Sequence, residues 1–198
     1  MNMVDRLIGL VWRHVLSKVI SLYLRVHGVR VGNSCIFYGI PEIRCVKGSV
    51  VEIGAHVVIC SISKYTALGV NHPVIIRALL PGAQICVGDN VGLSGSTIVA
   101  ARRINIGKNS MLGANTTVCD TDFHPISPSG RRGAKLEDAA SSPIDIGENV
   151  FIGAGAMILK GVVIGRNSVI GAATVVTAVV PPDTIAAGNP AEVIRSVD

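Results

Sequence analysis

The residues around His124 are the best candidates for acid–base chemistry in this chain. His124 follows Asp120 and Asp122 and precedes Pro125. The unperturbed pKa of an imidazole lies near neutrality, which suits a general base that takes a proton from a hydroxyl group. Pro125 restricts the backbone of its neighbour to extended geometry. Asp120 or Asp122 could orient the ring by accepting a hydrogen bond from its second nitrogen, and the sequence leaves open which one does.

Of the other histidines, only His72 has a comparable setting. It precedes Pro73 in a segment that interrupts the repeating pattern of the chain, so we predict that it contacts or orients a substrate. His14, His27 and His56 are expected to be ordinary surface or core residues.

The elements that position these side chains are predicted by a six-residue period. An aliphatic residue, usually followed by glycine, recurs at every sixth position late in the chain, which is the signature of a repeat architecture. We interpret each hexad as one flat side of a coiled prism, with the aliphatic side chain inside and the glycine permitting the corner. The aliphatic positions of this run are Ile146, Ile152, Ile158, Ile164, Ile170 and Val176.

The period also occurs upstream and then stops. The spacing from Val118 to Ile146 is not a whole number of hexads. Insertions in repeat proteins form loops, often on the binding face. We therefore predict that residues 120–143 are an extruded loop. The upstream runs are Val87 with Leu93, then Ile106, Leu112 and Val118, and the isolated instances are Val31-Gly32 and Ile53-Gly54.

The composition suits a narrow solenoid. Hydrophobic residues make up 49% of the 198 residues but aromatic residues only 4%, and the net charge of +5 comes from scattered basic residues. Without an aromatic stripe beside them, these charges argue against nucleic-acid binding. The five cysteines form no C-x-x-C pair, which argues against a disulfide framework and a zinc site and favours a reducing compartment, the cytoplasm.

Residues 2–27 predict an amphipathic α-helix, so we divide the chain into a helix (1–30) and a solenoid (31–198). The apolar face is broad, yet no apolar run is long enough to span a bilayer. We expect the helix to cap the solenoid or to pack on another subunit. The alternative is peripheral contact with the inner face of the membrane, with Trp12 and Tyr23 at the interface.

Two segments resemble the hexapeptide-repeat acyltransferases. They run from Ile106-Gly107 to His124-Pro125 and over Ala187-Gly188-Asn189-Pro190-Ala191, within a resemblance that covers roughly residues 50 to 196. The chain looks most like bacterial polysaccharide O-acetyltransferases and the galactoside and maltose acetyltransferases. The resemblance implies an all-β left-handed parallel β-helix of hexapeptide repeats with an N-terminal α-helix. The left hand departs from the usual right-handed crossover rule.

The resemblance also implies a reaction. Acetyl-CoA would lie between two subunits of a homotrimer and donate its acyl group, without a metal, to a small-molecule or glycan acceptor. His124 matches the catalytic base, and Asn115 matches an asparagine that binds the acceptor. The backbone N–H of Ala154 matches a donor to the thioester oxygen. Phe151 stands where the family often has a tryptophan against the acceptor.

The sequence departs from the family where lysines usually contact coenzyme A. Ala178 and Glu192 occupy those positions. Cationic contacts to coenzyme A are therefore expected from Lys160, Arg166 or Arg195, and other contacts to it from Gly153, Ala154 and Ala172.

Arg131, in a basic cluster of the loop, could clamp an acidic group of the acceptor.

We therefore expect an acyl-CoA-dependent O-acetyltransferase that acts on a sugar hydroxyl in surface-polysaccharide biosynthesis, with the acceptor free, nucleotide-linked or lipid-linked. N-acetylation of an amino sugar is the alternative. A metal site like that of γ-class carbonic anhydrases needs three converging histidines, and His56, His72 and His124 occupy unmatched places in the hexads. A non-enzymatic scaffold would leave the acidic segment before His124 unexplained.

Overall fold

The structure of the protein, a computed structural model, describes residues 8–197 and is a prism of stacked coils. Three sheets form its sides, which we call side A, side B and side C. Side A contains β1 (Arg30–Val31), β4 (Val50–Ile53), β7 (Gln84–Val87), β10 (Arg103–Ile106), β13 (Ile144–Ile146) and β16 (Val163–Ile164). Side B contains β2 (Ile36–Tyr38), β5 (Val58–Cys60), β8 (Gly92–Ser94), β11 (Met111–Leu112), β14 (Phe151–Ile152), β17 (Val169–Ile170), β19 (Thr184–Gly188) and β20 (Ala191–Ser196). Side C contains β3 (Glu42–Cys45), β6 (Ile75–Ala78), β9 (Thr97–Ala100), β12 (Thr117–Cys119), β15 (Met157–Ile158) and β18 (Val175–Val176).

Each coil visits side A, side B and side C in turn, and the described residues complete six coils. Equivalent strands of successive coils pair in parallel, whereas the final pair, β19 with β20, is antiparallel. The predicted β-solenoid is confirmed. It begins earlier than the main hexad runs suggest, because Val31 of β1 already stacks in register on Ile53 of β4.

The aliphatic residue of each hexad points into the prism. On side A, Ile106 lies between Val87 and Ile146, and all three side chains are buried. Burial of each such side chain contributes about 1.5–3 kcal/mol, so the stacked coils form one continuous core. The predicted inward orientation of the hexad positions is therefore confirmed.

The glycine that follows the aliphatic residue serves close stacking of the coils. A Cβ on Gly107 would lie 2.4 Å from the carbonyl carbon of Gly147 in the next coil, a distance that no methyl group tolerates. The left-handed backbone at this corner belongs instead to Asn109, with φ of 62°. Asparagine adopts this conformation more readily than most side chains. At this corner, Gly107 therefore permits the close stacking of coils, and Asn109 adopts the left-handed backbone.

The N-terminal helix packs on the first coil. The described part is helical from residue 8 and comprises a π-helical segment (Trp12–Leu16) and α1 (Ser17–Val26). Ile20 and Leu24 join the core, and the Ser17 hydroxyl accepts the Phe37 N–H at 2.8 Å. These contacts agree with capping of the solenoid. The predicted helical residues 2–7 lie outside the described residues, and the division at residue 30 stays a prediction.

Two segments leave the coils. The first excursion, residues 61–74, connects β5 to β6 and includes a 3₁₀ turn, Ser63–Tyr65. The second excursion, residues 120–143, connects β12 to β13 and includes another, Leu136–Asp138. The first leaves at the corner between side B and side C, called the B–C corner. The second leaves at the corner between side C and side A, called the C–A corner.

Candidate functional site

The second excursion is closed at its base by backbone pairing. Thr121 forms an antiparallel bridge with Ser141. The Asp122 N–H donates to the Ala140 carbonyl at 3.0 Å, and the Ser142 N–H donates to the Asp120 carbonyl at 2.9 Å. These contacts fix the base, called the neck below, just before His124.

Asp120 anchors the neck to the coil beneath it. Its side chain is fully buried and accepts the N–H of Ala101 at 2.6 Å and those of Arg102 and Arg103 at 2.8 Å each. A carboxylate that accepts several backbone N–H groups is held firmly. Since both of its oxygens are engaged, the geometry favours Asp122 over Asp120 as the partner of the imidazole.

Asp122 lies beside Lys160 of the next coil. Its Oδ1 is 2.7 Å from the Lys160 Nζ, and both side chains are about two-thirds buried or more. Its Oδ2 is buried and has no hydrogen-bond partner among the described residues. A buried carboxylate oxygen without a partner costs free energy, so it marks where a donor such as an imidazole N–H would be stabilising. The ion pair also favours a role for Lys160 in holding Asp122.

His124 stands on a strained segment outside the neck. Phe123 has a φ of 63°, which is uncommon for a bulky residue, and its N–H donates to the Thr121 hydroxyl at 3.2 Å. Strained backbone of this kind clusters at functional sites. The His124 side chain is exposed, so substrate can reach it.

Arg131 folds back on the second excursion. Its guanidinium donates to the Pro125 carbonyl at 3.3 Å and to the Ile126 carbonyl. These bonds hold the chain that follows His124. The expected clamp of Arg131 on an acceptor stays a prediction.

A second group of predicted residues lies at the B–C corner. Asn115 has a left-handed backbone with φ of 60°, and its Oδ1 accepts the N–H of Asn71, in the first excursion, at 3.0 Å. The amide nitrogen of Asn115 is the group left to bind a ligand oxygen. Sequence reasoning missed Asn71, because a backbone N–H donor has no signal in residue type.

Ala154 and Ala172 continue the same corner in the next two coils. The Gly155 N–H donates to the Ala114 carbonyl and the Ala173 N–H to the Ala154 carbonyl, each at 2.8 Å. The Ala154 N–H donates to no acceptor among the described residues. It therefore suits the predicted role of a donor to a developing oxyanion.

Gly153 permits close stacking at this corner, since a Cβ there would lie 2.5 Å from the Ala172 N. The structure therefore brings together the predicted donor-site residues Gly153, Ala154 and Ala172, with Asn115 on the coil below.

His72, in the first excursion, is half-buried near this corner. Its Nδ1 lies 2.8 Å from the Pro73 carbonyl oxygen, and Asn71 beside it contacts Asn115. The ring is thus held by its own segment, next to the predicted acceptor-binding residue. Its contact with a substrate stays a prediction.

Of the remaining predicted residues, Phe151 lies on the strand that leads into the B–C corner, and Arg166 and Arg195 lie apart from both groups. Phe151 points outward from β14 and is 44% exposed, Arg166 lies at the corner between side A and side B, and Arg195 lies on β20. The two groups themselves are separated within one chain. Asn115 precedes β12 and His124 follows it, so they lie toward opposite ends of that strand.

The cysteines and possible metal ligands do not add to either group. Burial is the main cause that raises the pKa of the Cys119 thiol, and the nearby Asp120 and Asp122 charges raise it further. The thiol therefore stays protonated and unreactive near neutral pH. All five cysteines are free thiols. The described residues contain no group of three or more histidine, cysteine or acidic side chains that could hold a metal ion.

Known proteins share this architecture. The family described as bacterial transferase hexapeptide (six repeats) matches residues 143–178, and the hexapeptide repeat of succinyl-transferase matches residues 103–122. The galactoside O-acetyltransferase of Escherichia coli K12 is 40% identical over 118 residues, which cover 59% of this chain and 56% of that protein. The galactoside O-acetyltransferase of Lactococcus lactis IL1403 is 43% identical over 103 residues, 52% of this chain and 47% of that protein.

A solved structure of galactoside acetyltransferase in complex with coenzyme A matches 98% of this chain and 78% of its own, at 26% identity and a TM-score of 0.56. The fold and repeats thus define a left-handed parallel β-helix preceded by a helix. The chain is related to the hexapeptide-repeat acetyltransferases, as its sequence predicts. It spans about half the length of the curated relatives it matches.

Proposed function

We propose that this protein is an acyl-CoA-dependent O-acetyltransferase that acts on a hydroxyl group of a sugar. The observation that carries the proposal is the presentation of His124, exposed on strained backbone directly outside a neck that Asp120 anchors. The relatives named galactoside O-acetyltransferase support the choice of a sugar hydroxyl and of an acetyl donor.

In the proposed reaction, the imidazole of His124 takes the proton of the acceptor hydroxyl as its oxygen attacks the thioester carbonyl. A C–O bond forms, and the tetrahedral intermediate then collapses with cleavage of the C–S bond. The departing thiolate of coenzyme A receives the proton from His124. Asp122, through its unpaired Oδ2, would stabilise the imidazolium and keep the ring oriented.

The B–C corner supplies the polar contacts for this reaction. The Ala154 N–H would donate to the oxygen of the tetrahedral intermediate, where charge develops. Asn115 would donate its amide N–H to the acceptor, since its oxygen is engaged by Asn71. Phe151, beside Met111 on the outer face of side B, would form an apolar wall of the site.

Asn115 of the B–C corner and His124 lie toward opposite ends of β12, so the proposed site requires two chains. A ring of three copies joins two different surfaces at each interface and can bring the C–A corner of one copy to the B–C corner of its neighbour. The outer face of side B suits such an interface, because its stacked positions are largely apolar. The positions of this kind away from the N-terminal helix are Met111, Phe151, Val169 and Ile185.

The phosphates of the donor need cationic partners. Lys160 is paired with Asp122, so we assign this role to Arg166 and Arg195, the other cationic residues that the sequence predicts for it. We place the reaction in the cytoplasm, which the five free thiols support, and assign it to the biosynthesis of a surface polysaccharide.

Transfer assays test the proposal. The purified protein is incubated with acetyl-CoA and a panel of neutral and amino sugars, and release of the coenzyme A thiol is followed. We expect acceptor-dependent thiol release and an O-acetylated product, with slow release when no sugar is present. An N-acetylated product as the only product would replace the proposal with the alternative. No acceptor-dependent release across acyl donors and sugars would remove it.

A further inference from the structure

A basic groove separates the N-terminal helix from the corner turns of the first coils. It encloses about 700 Å³, and no aspartate or glutamate is among the described residues that line it. Its cationic side is formed by Arg13, Lys18 and Arg25 of the helix. Arg25 is fixed in place, because its Nη2 donates to the Val31 carbonyl at 2.7 Å and its Nε to the same oxygen at 3.0 Å.

The helix carries an exposed apolar stripe next to this groove. Val15, Val19, Leu22 and Val26 are 55%, 58%, 63% and 75% exposed, respectively. They recur at helical spacing on the side of the helix that faces away from the core. Ile20 and Leu24, on the opposite side, are buried in the core. Four adjacent large aliphatic side chains with this exposure indicate a surface that contacts another apolar surface.

The groove and the stripe can meet one surface together. Leu22 lies four residues after Lys18 and three residues before Arg25, so on a helix all three are neighbours. An apolar strip bordered by long basic side chains is the pattern of helices that lie in a membrane interface. Lysine and arginine can reach phosphate while their stems cover apolar surface.

We propose that this face of the helix docks on an anionic lipid bilayer, with Val15, Val19, Leu22 and Val26 in the interface and lipid phosphates in the basic groove. Charge selects this occupant. No acidic side chain is among the described residues that line the groove, so a second copy that presents the same basic face would be repelled, whereas lipid phosphates neutralise these cations. No helix among the described residues is long and apolar enough to cross a membrane.

Docking would orient the proposed site relative to the bilayer. The helix packs on β1 and β2 of the first coil, and His124 follows the fourth coil. At about 4.8 Å per coil, three coil spacings are roughly 15 Å. The site would therefore lie roughly 15 Å along the prism from the coil that carries the helix, which suits an acceptor carried on a lipid. The docking itself does not depend on the transfer reaction.

Vesicle flotation tests the inference. The full chain is mixed with vesicles of neutral phosphatidylcholine or of phosphatidylcholine with phosphatidylglycerol. We expect flotation with the anionic vesicles only, and release in about 0.5 M salt, where exposed charges are screened. Leu22→Asp and the double variant Arg13→Glu/Lys18→Glu should each lower the bound fraction at least about fivefold, because one removes apolar insertion and the other removes phosphate contact.

Lys47→Glu is the matched control, since Lys47 is exposed in the turn between side C and side A, away from the groove. Its binding should stay within about twofold of the wild type. Circular dichroism and acetyl transfer to a soluble sugar should be unchanged in all variants, which separates a failure of docking from a failure of the proposed reaction.

Three outcomes would overturn the inference. One is equal flotation with neutral and anionic vesicles. Another is binding of inorganic phosphate that requires Arg13 and Lys18 while the protein floats with no vesicle, which indicates a site for a soluble anion. The last is a concentration-dependent assembly that Leu22→Asp dissociates, which indicates that a second copy covers the stripe.

Discussion

The two excursions begin alike and differ in what they expose. Each leaves the prism after a buried cysteine, Cys60 or Cys119, and each carries a histidine before a proline. In the first excursion the His72 ring contacts the carbonyl of its own Pro73 and is half-buried. In the second, His124 is exposed on the strained Phe123. The same local pattern therefore produces a packed segment at one corner and an accessible imidazole at another.

The difference originates at the bases of the two excursions. In the first excursion, the Ser61 hydroxyl accepts one backbone N–H, that of Val74, at 3.1 Å. In the second, the Asp120 carboxylate accepts three from the coil beneath. Hydrogen bonds to a charged acceptor are roughly twice as strong as those between neutral groups. A charged anchor can hold strained backbone beyond it, which a single hydroxyl would hold less firmly.

The largest expected effect separates the two histidines by activity. We expect His124→Ala to lower acetyl transfer by about 10²–10⁴, the range for loss of a general base, and His72→Ala to lower it by about tenfold or less. The measurement is kcat/KM for acetyl-CoA with a sugar identified in the transfer assay. His124 is exposed, so circular dichroism should show an unchanged fold.

Equal losses in the two variants would contradict the distinction between the excursions. Near-normal transfer by His124→Ala would remove its assignment as the base.

The next comparison concerns the contributions of the bases of the two excursions to stability. We expect Asp120→Ala to lower the free energy of unfolding by about 3 kcal/mol, because it leaves backbone donors in a buried setting without an acceptor. We expect Ser61→Ala to cost about 1 kcal/mol, since one donor loses its partner. Urea unfolding, followed by circular dichroism, measures both. A cost for Ser61→Ala as large as that for Asp120→Ala would show that the charge of the anchor is unimportant.

The smallest effect concerns the buried thiols of Cys60 and Cys119, which directly precede the two excursions. Burial raises the pKa of Cys60 and of Cys119 above the ordinary value of 9.0, and the Asp120 and Asp122 charges raise that of Cys119 further. The folded state therefore keeps protons that the unfolded state releases near pH 9. This contribution to stability is complete below the unfolded pKa and is lost as pH rises through the folded pKa.

We accordingly expect the free energy of unfolding to fall between about pH 8 and pH 10, and Cys119→Ala to reduce that fall more than Cys60→Ala. Urea unfolding at several pH values measures the slopes. A stability that is independent of pH in this range, or that rises, would contradict the inferred burial of the thiols.

Much of the fold could be predicted because it depends on local repetition. The run from Ile146 to Val176 keeps its phase, and every coil buries the same position. The glycine of the hexad was harder to interpret, since the close approach of Gly107 to Gly147 exists only between stacked coils. The early coil at β1 was weakly indicated, because Val31 is followed by segments without the period.

The candidate site could be predicted only in part. His124 was indicated by the interruption of the hexads and by its acidic neighbours. The choice between Asp120 and Asp122 depends on which carboxylate the backbone N–H groups of residues 101–103 engage, and those residues are distant in sequence. The contact of Asn71 with Asn115 also joins distant segments.

The sequence by itself determined the period, the inward aliphatic positions and the point where the chain leaves the prism, because each depends on residue type and on spacing along the chain. Only the tertiary structure decided that Asp120 anchors a neck, that Lys160 pairs with Asp122, and that Asn115 and His124 flank opposite ends of one strand. Stacking sets the first two relations, since it brings together groups from different coils whose separation in sequence varies with the length of each excursion. The third follows from the path of one coil around the prism.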